Sequence, residues 1–462
     1  MHVVLISPYE IGRQPFGLAE PAAWLKRAGC DVRCIDLSVE KLDANALANA
    51  GLVAIYVAMH TATRIAAEAL PKIRAQAPNA HLCVYGLYAP MNADFFRALG
   101  VQTVLGGEFE PGLESLVNRL RRGDAAMQTE AEVSTQRIEF ITPDRSGLPA
   151  LARYAHLIMP DDTRRTVAFA EASRGCKHLC RHCPVVPVYQ GKFRIVPIEI
   201  VMVDIRQQVA QGARHVSFGD PDFLNGPTHA LRVIRALHDE FPDVTYDATI
   251  KIEHLVGHAD MLPVLRDTGC VFITSAVESV DDAVLENLAK QHTRADFVRA
   301  LELTRAAGIA LAPTFVPFTP WTTLESYRDL LNTLATLGLI GSVPPVQLAI
   351  RLLVPKGSYL LQLPGFEACL EAFDAHMLGY PWHNRDARVD ALQREVEAIA
   401  AAGERDNLER RTIFERVWTA AHVTDGSHAP LLPHATLGAP PPRLSEPWYC
   451  CAEPTAQQLR SV

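Results

Sequence analysis

Residues 1–118 alternate short apolar runs with segments of helical periodicity. The runs are rich in Val, Ile and Leu, as expected of strands buried on both faces, and they read HVVLI, VRCIDL, LVAIYVA, HLCVYG and QTVLGG. Between them stand stretches such as GLAEPAAWLKRAG, in which apolar residues recur with the period of a helix. The pattern predicts an α/β domain with a small, doubly wound, Rossmann-like parallel sheet over residues 1–118.

A second alternation occupies residues 166–355. Its six candidate strands read VAFAEA, HVSFGD, VTYDATI, VFITSAVES, LAPTFVPF and VQLAIRLL, and they are separated by helical stretches such as DFVRALELTRAAG. Six consecutive βα units predict a partial (β/α)6 barrel. In such folds the functional residues gather at the carboxyl ends of the strands.

The remaining segments have different compositions. Residues 119–165 are polar and small and predict a linker that runs into a loop. Residues 356–424 have a mostly helical pattern. Residues 425–462 contain seven prolines and no long periodic run, which predicts an extended tail.

Charge and cysteine content narrow the possible classes of protein. The formal net charge is −8 and no long Lys/Arg run occurs, so we expect binding neither to nucleic acid nor to an anionic membrane. No apolar run has the length of a membrane span. The start, MHVVLISPYE, places no basic residues before its apolar run, which favours a strand over a signal peptide. We therefore expect a cytoplasmic protein, whose clustered cysteines serve metal or redox chemistry.

One cysteine cluster directly follows the first predicted barrel strand. In RGCKHLCRHCP, Cys176, Cys180 and Cys183 have the spacing C-x3-C-x2-C, and the next cysteine is the distant Cys270. Thiolates are soft ligands that suit an iron–sulfur cluster or zinc. Three ligands would leave one iron of a [4Fe–4S] cluster open, as a catalytic metal site requires. The alternative is a structural zinc site with His178 or His182 as the fourth ligand.

The spacing and its position resemble the radical S-adenosylmethionine (SAM) superfamily, over about residues 165–355. The resemblance implies that the three cysteines hold a [4Fe–4S] cluster whose open iron chelates the amino and carboxylate groups of SAM. Reduction would then break a C–S bond of the sulfonium and form a carbon radical. The resemblance also implies an external electron donor such as flavodoxin or ferredoxin, and a small-molecule substrate. His182 departs from the family, which often has an aromatic residue before the third cysteine.

Polar residues follow the next three predicted strands, within SFGDPDF, TIKIEHL and TSAVES. By resemblance, the first of these segments binds the amino group of SAM and the last holds its ribose, since a carboxylate and a hydroxyl together bind a vicinal diol. The alternative for each position is a rim residue in a surface salt bridge. The candidate cofactor-binding residues are Gly219, Asp220, Asp222, Lys251, Glu278 and Ser279.

A doubly wound domain ahead of such a barrel is similar to the cobalamin-binding domain of a large radical SAM subgroup. The stretch GGEFEPGLESLV resembles the end of those domains, and Gly106 and Gly107 would let backbone approach a ligand. The Asp-x-His-x-x-Gly motif that supplies a cobalt ligand is absent, and SPYEIGRQPFG stands there instead. The resemblance therefore implies the fold and leaves cobalamin binding open.

The tail contains two adjacent cysteines, Cys450 and Cys451, in WYCCAEP. Consecutive Cα atoms lie about 3.8 Å apart, whereas disulfides prefer about 4.4–6.8 Å, so a bond between the two would be strained. Two neighbouring thiolates instead suit chelation of one soft centre. The ending CCAEP resembles the CUAEP/CCAEP-tail radical SAM proteins, in which the second position may be selenocysteine.

Relatives with this tail include the arsinothricin-type enzymes, which transfer the 3-amino-3-carboxypropyl group of SAM to trivalent arsenic. The resemblance implies a transferase in which Cys450 and Cys451 present a soft acceptor, such as As(III), to a SAM-derived radical. Two other functions stay open. One is cobalamin-dependent methyl transfer to an organic substrate, and the other is an iron–sulfur or metalloid sensor that does not cleave SAM. Two alternatives stay open for the cysteine pair itself: the thiols act as a reductant or as ligands to a second cluster, or they are incidental thiols in a disordered tail.

Overall fold

The computed structural model describes residues 1–124, 128–423, 429–432 and 441–446. Both predicted sheets are present, and the predicted fold class is confirmed. Within the described residues, no helix combines the length and the apolar character that crossing a membrane requires.

The amino-terminal sheet contains all five predicted strands in parallel arrangement, in the order β2-β1-β3-β4-β5. Strand β1, next to the edge strand β2, places Leu5 opposite Cys34 on one side and Ala54 on the other. The strands are β1 (His2–Ser7), β2 (Asp31–Asp36), β3 (Leu52–Tyr56), β4 (His81–Tyr85) and β5 (Thr103–Gly107). The helices that cover its two faces are α1 (Phe16–Arg27), α2 (Ala44–Leu47), α3 (His60–Gln76), α4 (Ala93–Ala98) and α5 (Glu110–Arg121).

The segment predicted as a linker is more structured than its composition indicated. Helix α5 continues past residue 118, and β6 (Val133–Ser134) adds a sixth parallel strand beside β5. The buried guanidinium of Arg145 then binds both carboxylate oxygens of Asp204, at 2.6 and 2.8 Å. The segment therefore joins the two sheets through specific contacts.

The second sheet has the order β14-β13-β12-β11-β8-β7-β15, with parallel strands from β14 to β8. Its strands are β7 (His156–Ile158), β8 (Arg164–Ala170), β11 (His215–Phe218), β12 (Thr245–Thr249), β13 (Cys270–Glu278), β14 (Ala310–Phe315) and β15 (Arg443–Leu444). A separate hairpin-like pair comprises β9 (Ser173–Gly175) and β10 (Phe193–Ile195). The barrel helices are α6 (Val185–Tyr189), α7 (Ile198–Ala210), α8 (Pro227–Glu240), α9 (Ile252–Gly257), α10 (Leu262–Asp267), α11 (Asp282–Asn287), α12 (Arg294–Ala307) and α13 (Leu324–Thr336).

The helices pack on the outer face of this curved sheet and form its main hydrophobic core. Several begin where the sequence supplies a cap. In α12, Thr293 and Asp296 form a reciprocal capping box, and Gly308 ends the helix with a φ of 78°. Such caps satisfy backbone groups that a helix end leaves unpaired. The outer layer thus fixes the strands whose carboxyl ends carry the candidate site.

The prediction of a sixth barrel strand is wrong. The first three residues of VQLAIRLL belong to a 3-10 helix, Pro345–Leu348, which is followed by a single parallel bridge between Phe318 and Arg351. Pro344 and Pro345 lack the N–H groups that a strand ladder needs. A short apolar run does not by itself distinguish a buried strand from other buried structure. In place of a sixth strand, the described chain beyond β14 therefore forms one bridge, between Phe318 and Arg351.

The carboxyl-terminal region contains two long helices, α14 (Ala387–Arg405) and α15 (Arg410–Val423), which pack on each other. Farther along, β15 pairs antiparallel with β7, and β7 pairs antiparallel with β8. Two antiparallel pairings in succession make β15 run in the same direction as β8. The chain at Leu444 is consequently heading toward the carboxyl edge of the barrel sheet.

Candidate functional site

The three clustered cysteines lie on a loop that begins just beyond β8, as the sequence predicts. The loop starts with Gly175, whose φ is +71° and at which a Cβ would lie 2.3 Å from the Lys192 carbonyl oxygen. Only glycine fits such a position. Cys176 and Cys180 are buried, Cys183 is half-buried, and all three are free thiols. The tight turn at Gly175 thereby brings the loop back across the carboxyl edge of the sheet.

Polar groups from two other elements surround these thiols. The Asn225 amide lies 3.5 Å from the Sγ atom of Cys176. Burial raises the pKa of the Cys176 thiol, so an uncharged thiol is favoured there until a positive partner is bound. Burial disfavours the charge of Lys290, but Glu278 and then the thiolates of Cys180 and Cys183 outweigh it and raise the ammonium pKa. The loop therefore has its own cation beside two of its sulfur atoms.

These three residues fit a cluster with one open iron. Cys270 cannot be a fourth ligand at the loop, because it begins the nine-residue strand β13 and Glu278 ends it. At a rise of roughly 3.3 Å per residue, the two ends of that strand are about 26 Å apart. The imidazoles that a zinc site would use contact carboxylates instead: His178 approaches Asp222, and His182 approaches Glu278.

Glu278 occupies an irregular strand end directed at the cluster loop. Its φ is +70°, and the register of β13 shifts between Ala276 and Glu278. The carboxylate lies 3.1 Å from Nε2 of His182 and 3.5 Å from Nζ of Lys290. Burial opposes its ionisation, yet Lys290 and His182 lower its pKa to about 2. Glu278 is therefore a held anion next to the thiols.

Ser279 lies directly after this strand end and is half-buried. Its Oγ accepts a hydrogen bond of 3.0 Å from the Asp281 N–H. A hydroxyl oxygen that accepts one hydrogen bond keeps its own O–H free to donate. The predicted roles of Glu278 and Ser279 toward a ribose remain predictions.

The end of β11 presents Gly219, Asp220 and Asp222. A Cβ at Gly219 would lie 2.1 Å from the Phe169 ring, so that ring packs directly on backbone. Asp220 accepts hydrogen bonds from the Ala172 N–H, at 3.0 Å, and from the Ser173 hydroxyl. Burial raises the pKa of Asp220 to about 7. Asp220 thus fastens the start of the cluster loop to β11, and its predicted role in SAM binding is a prediction still.

Asp222 and Lys251 lie on neighbouring strand ends. Asp222 is fully buried beside the rings of His178 and His254, and although burial opposes ionisation, these imidazoles lower its pKa to about 2. Lys251 is 7% exposed and its Nζ lies 3.2 Å from a carboxylate oxygen of Glu253. The structure brings both residues to the cluster loop, as expected from strands that end at one edge.

The sequence analysis missed three contributors to this site. Lys290 follows α11 and Asn225 follows β11 by several residues, and no spacing rule connects either with the cysteines. His254 stands inside the TIKIEHL segment, but its approach to Asp222 depends on how α9 begins. The only available signal was the density of polar residues after each predicted strand.

The carboxyl edge of the amino-terminal sheet faces the same loop across a cleft of about 140 Å³. At its centre is the buried guanidinium of Arg174, which contacts carboxylates from both domains: Glu20, Glu108, Glu110 and Glu171. Burial raises the pKa of Glu108 to about 7 and that of Glu110 well above its usual range. A single cation therefore lies among several carboxyl groups that tend to keep their protons.

Protein groups already fill the glycine positions of that edge. A Cβ at Gly106 would lie 2.2 Å from Pro90, and one at Gly107 would lie 2.0 Å from the Ser134 carbonyl oxygen on β6. A Cβ at Gly17 would similarly lie 2.1 Å from the Tyr56 ring. Other atoms do approach the backbone closely at these three glycines, and those atoms belong to the protein itself.

The predicted acceptor ligands, Cys450 and Cys451, lie outside the described residues. The nearest described residue is Glu446, whose carboxylate hydrogen-bonds the Tyr9 hydroxyl just beyond β1. Leu444 pairs with Leu157, which pairs with Arg165 of β8. Residues 443–446 therefore contact both Tyr9, just beyond β1, and the strand β7 beside β8.

Comparison with known proteins bears on this arrangement. Residues 171–334 match the family model described as the radical SAM superfamily. The tRNA-2-methylthio-N(6)-dimethylallyladenosine synthase of Mannheimia succiniciproducens is 24% identical over 278 residues, which are 56% of this chain and 54% of that protein. The ribosomal protein uS12 methylthiotransferase RimO of Parabacteroides distasonis is 24% identical over 37% of this chain and 41% of its own. The chain thus spans about half the length, or less, of these curated relatives.

Two solved structures share the fold. The cobalamin-dependent SAM radical enzyme OxsB, with aqua-cobalamin and SAM bound, has a TM-score of 0.67 and 15% identity, over 88% of this chain and 67% of that one. The radical SAM methyltransferase TsrM from Kitasatospora setae, with cobalamin and a [4Fe–4S] cluster bound, has a TM-score of 0.57 and 16% identity, over 72% of this chain and 70% of that one. The chain therefore contains a radical SAM domain, which implies a [4Fe–4S] cluster and SAM, and the matches indicate an enzyme.

Proposed function

We propose that this chain is a radical SAM transferase whose soft, thiophilic acceptor is held by the carboxyl-terminal cysteine pair. Cys176, Cys180 and Cys183 would hold the cluster, which supplies the electron that breaks a C–S bond of SAM. The described residues of the barrel edge do the remaining work of binding SAM and excluding water. An external donor such as flavodoxin or ferredoxin would supply the electron.

The SAM roles follow from charge and position at the three strand ends. The ionised carboxylate of Glu278, with the hydroxyl of Ser279, would accept and donate hydrogen bonds to the ribose diol. The ends of β11 and β12 would receive the amino-acid part of SAM, with Gly219, Asp220 and Asp222 toward its ammonium group. The ammonium of Lys251 would neutralise its carboxylate.

One observation supports the role of the tail: β15 runs parallel to β8 and toward the cluster loop. Cys450 is four residues beyond Glu446, a reach of at most about 14 Å for an extended chain. Leu444 lies at the level of Arg165 in β8. Five residues after Arg165, β8 ends at Ala170, and the chain continues toward the cluster loop. The direction of the chain at Leu444 therefore supports a tail that acts at the cluster site.

The chemistry of two adjacent thiolates favours As(III) as the acceptor. Arsenic is thiophilic and would be chelated by Cys450 and Cys451 while keeping a lone pair for the incoming carbon. One-electron cleavage of the C–S bond would release methylthioadenosine and a 3-amino-3-carboxypropyl radical, whose carbon would bond to arsenic through that lone pair. The odd electron then left on arsenic would pass back to the oxidised cluster, so that arsenic would end in the pentavalent state. The transferred group would be 3-amino-3-carboxypropyl, so the proposal predicts methylthioadenosine as the nucleoside product. The thiols would act as binding residues for the acceptor.

Methyl transfer with cobalamin is the second candidate, favoured by the likeness to OxsB and TsrM. A corrin ring bound between the two sheets would have to fit the residues that line this cleft. None of the described lining residues is a histidine, and Arg174 with its carboxylates crosses the space. These residues do not fit a corrin that takes a protein histidine as ligand, so we assign no step to cobalamin.

The nucleoside product separates the candidates. The protein is reconstituted anaerobically and given reductant, SAM and arsenite, and the product is identified by mass spectrometry. Methylthioadenosine supports transfer of the aminocarboxypropyl group. Release of 5′-deoxyadenosine would indicate hydrogen abstraction from an organic substrate, and S-adenosylhomocysteine would indicate methyl transfer. An intact cluster that cleaves no SAM would support the sensor alternative.

Cysteine variants test the tail directly. The pair Cys450→Ser and Cys451→Ser should leave cluster iron unchanged but abolish the arsenic-containing product. Cys369→Ser is the matched control, because Cys369 is a half-buried free thiol in the carboxyl-terminal region outside the tail. Full product formation by the double variant would contradict the role of the pair.

A further inference from the structure

Three side chains from three different elements converge beside the cluster loop. His178 belongs to the loop itself, Asp222 follows β11 and His254 lies in α9. Oδ2 of Asp222 lies 3.2 Å from Nε2 of His178 and 2.7 Å from Nδ1 of His254. The side chains are 0%, 10% and 17% exposed for Asp222, His178 and His254, so water reaches them poorly.

The three facing atoms lack a normal hydrogen bond despite their short separations. Within the described part of the chain, Nε2 of His178, Oδ2 of Asp222 and Nδ1 of His254 are buried atoms without an aligned hydrogen-bond partner. Buried polar atoms are almost always hydrogen-bonded, so three converging exceptions indicate a missing partner. A fully buried carboxylate oxygen directed into the group is the strongest of these exceptions.

The spacing suits a metal ion as that partner. The three ligand atoms all lie within 4.8 Å of one another. Zinc binds imidazole nitrogen and carboxylate oxygen at about 2.0–2.2 Å, which leaves neighbouring ligand atoms roughly 3 Å apart. Two histidines and one carboxylate are also the ligand set of mononuclear iron(II) sites. The two separations from Oδ2 of Asp222, 3.2 Å to His178 and 2.7 Å to His254, are close to that distance.

We propose that His178, Asp222 and His254 bind a divalent first-row transition-metal ion, zinc or iron(II), separate from the cluster. Three protein ligands leave at least one coordination position open. The outer contacts have the form that supports such ligands. A carboxylate oxygen of Glu253 lies 3.6 Å from the other ring nitrogen of His178, and the Lys251 N–H lies 3.4 Å from Oδ1 of Asp222.

The ion would occupy Oδ2 of Asp222, and Oδ1 would remain available to the ammonium group of SAM. The ion also explains why two imidazoles lie beside one carboxylate, because SAM binding requires neither imidazole. His178 stands between Cys176 and Cys180 in the sequence, so the ion would lie next to the cluster. Its ligands are nitrogen and oxygen, whereas those of the cluster are sulfur, and this difference makes the two sites separable by experiment.

The test measures metal content in the full chain. All samples carry Cys450→Ser and Cys451→Ser, so that the tail thiols cannot bind zinc. After anaerobic cluster reconstitution the protein is incubated with zinc, desalted, and analysed for zinc and iron by mass spectrometry and by X-ray absorption at the zinc edge. We expect one zinc ion per chain with nitrogen and oxygen ligands, beyond the cluster iron.

Variants assign the ion to these residues. His254→Gln and Asp222→Asn should each lose the zinc and keep the cluster iron. His258→Gln is the matched control, because its ring lies 5.6 Å from that of His254 but contributes no atom to the group. It should keep both metals.

The opposite results would overturn the proposal. These are no zinc in the parent protein, sulfur ligands at the zinc edge, or equal zinc in parent and His254→Gln. Loss of iron together with zinc in both variants would assign the residues to the cluster site and also overturn it. Because zinc is read separately, a failure of SAM cleavage leaves the result interpretable.

Discussion

Buried carboxyl groups in the two domains have pKa values that are shifted in opposite directions. At the barrel edge, Asp222 and Glu278 have pKa values of about 2, because imidazole and ammonium groups face them. Near the amino-terminal sheet, burial raises the pKa of Glu10 to about 8 and that of Glu108 to about 7. Both sets are buried, so the difference lies in the supply of cations. The barrel edge keeps anions available for binding, whereas the other side uses protonated acids to join two domains.

The cysteines show the same contrast. Cys34 and Cys83 are buried in the amino-terminal sheet, and burial raises the pKa of each thiol, to about 12 for Cys34. Cys180 and Cys183 instead have Lys290 beside them. Thiolate ligands need such a cation or a metal to remain charged in a buried place. The comparison predicts which cysteines serve chemistry and which serve packing.

Replacing one cysteine of each region with alanine should give the largest difference in cluster iron and SAM cleavage. Cys176→Ala should remove a cluster ligand and abolish both cluster iron and SAM cleavage, because an open cluster has no spare protein ligand. Cys83→Ala should retain both, since Cys83 is a small core residue in β4. Iron analysis and nucleoside assay on both proteins check this. Retention of iron and SAM cleavage by Cys176→Ala would refute the cluster assignment.

Removal of the shared cation should have the next largest effect. Arg174→Met leaves several buried carboxyl groups without their hydrogen-bond donor, and at about 1–3 kcal/mol for each unsatisfied group we expect a loss of about 3–5 kcal/mol in the free energy of unfolding. Arg206→Met is the control, because the pair of Arg206 with Glu240 is half exposed and should contribute only about 0–1 kcal/mol. Denaturant unfolding of the two variants measures the difference. Equal stability would show that the Arg174 contacts do not join the domains.

The smallest effect concerns pH. The pKa of Glu10 rises from its usual 4.5 to about 8, so the folded state binds this proton more tightly than the unfolded state. Its stabilisation is complete below the usual pKa and is lost as the pH rises toward 8. Between about pH 6.5 and about pH 8, Glu10→Gln should therefore lose less stability than the parent, by up to about 1.4 kcal/mol per pH unit.

Unfolding by denaturant at several pH values measures this difference. Asp222 and Glu278 stay ionised throughout that range and do not contribute. Glu240→Gln, at an exposed carboxylate, is the control and should follow the parent. Parallel pH curves for Glu10→Gln and the parent would show that Glu10 does not retain its proton in the folded protein.

The strands and the cysteine loop were predictable because their signals are local. Five strands in each sheet were identified from apolar runs, and C-x3-C-x2-C identified the loop. The two-residue strand β6 and the three-residue strand β7 were missed, because such short pieces show no periodicity. VQLAIRLL was misassigned because its apolar run outweighed the preceding prolines.

The partners within the site were not predictable, for a related reason. Arg174 meets Glu20 and Glu108 only after two sheets have packed together, and those residues are far apart in the chain. Lys290 reaches Glu278 through the turn between β13 and the following helices. Contacts of this kind depend on tertiary geometry, and one sequence contains no periodic signal of them.

The ring of acids around Arg174 also limits how this protein can be divided or recombined. A barrel expressed alone would carry a buried arginine with most of its counterions missing, since three of the four belong to the other domain. An unrelated amino-terminal domain, joined to the same barrel, would have to supply acids at those three places. Fusions that replace only the amino-terminal domain should therefore fail to fold, unless the cluster loop is replaced together with that domain. The unit that can be exchanged is therefore the amino-terminal domain together with the cluster loop.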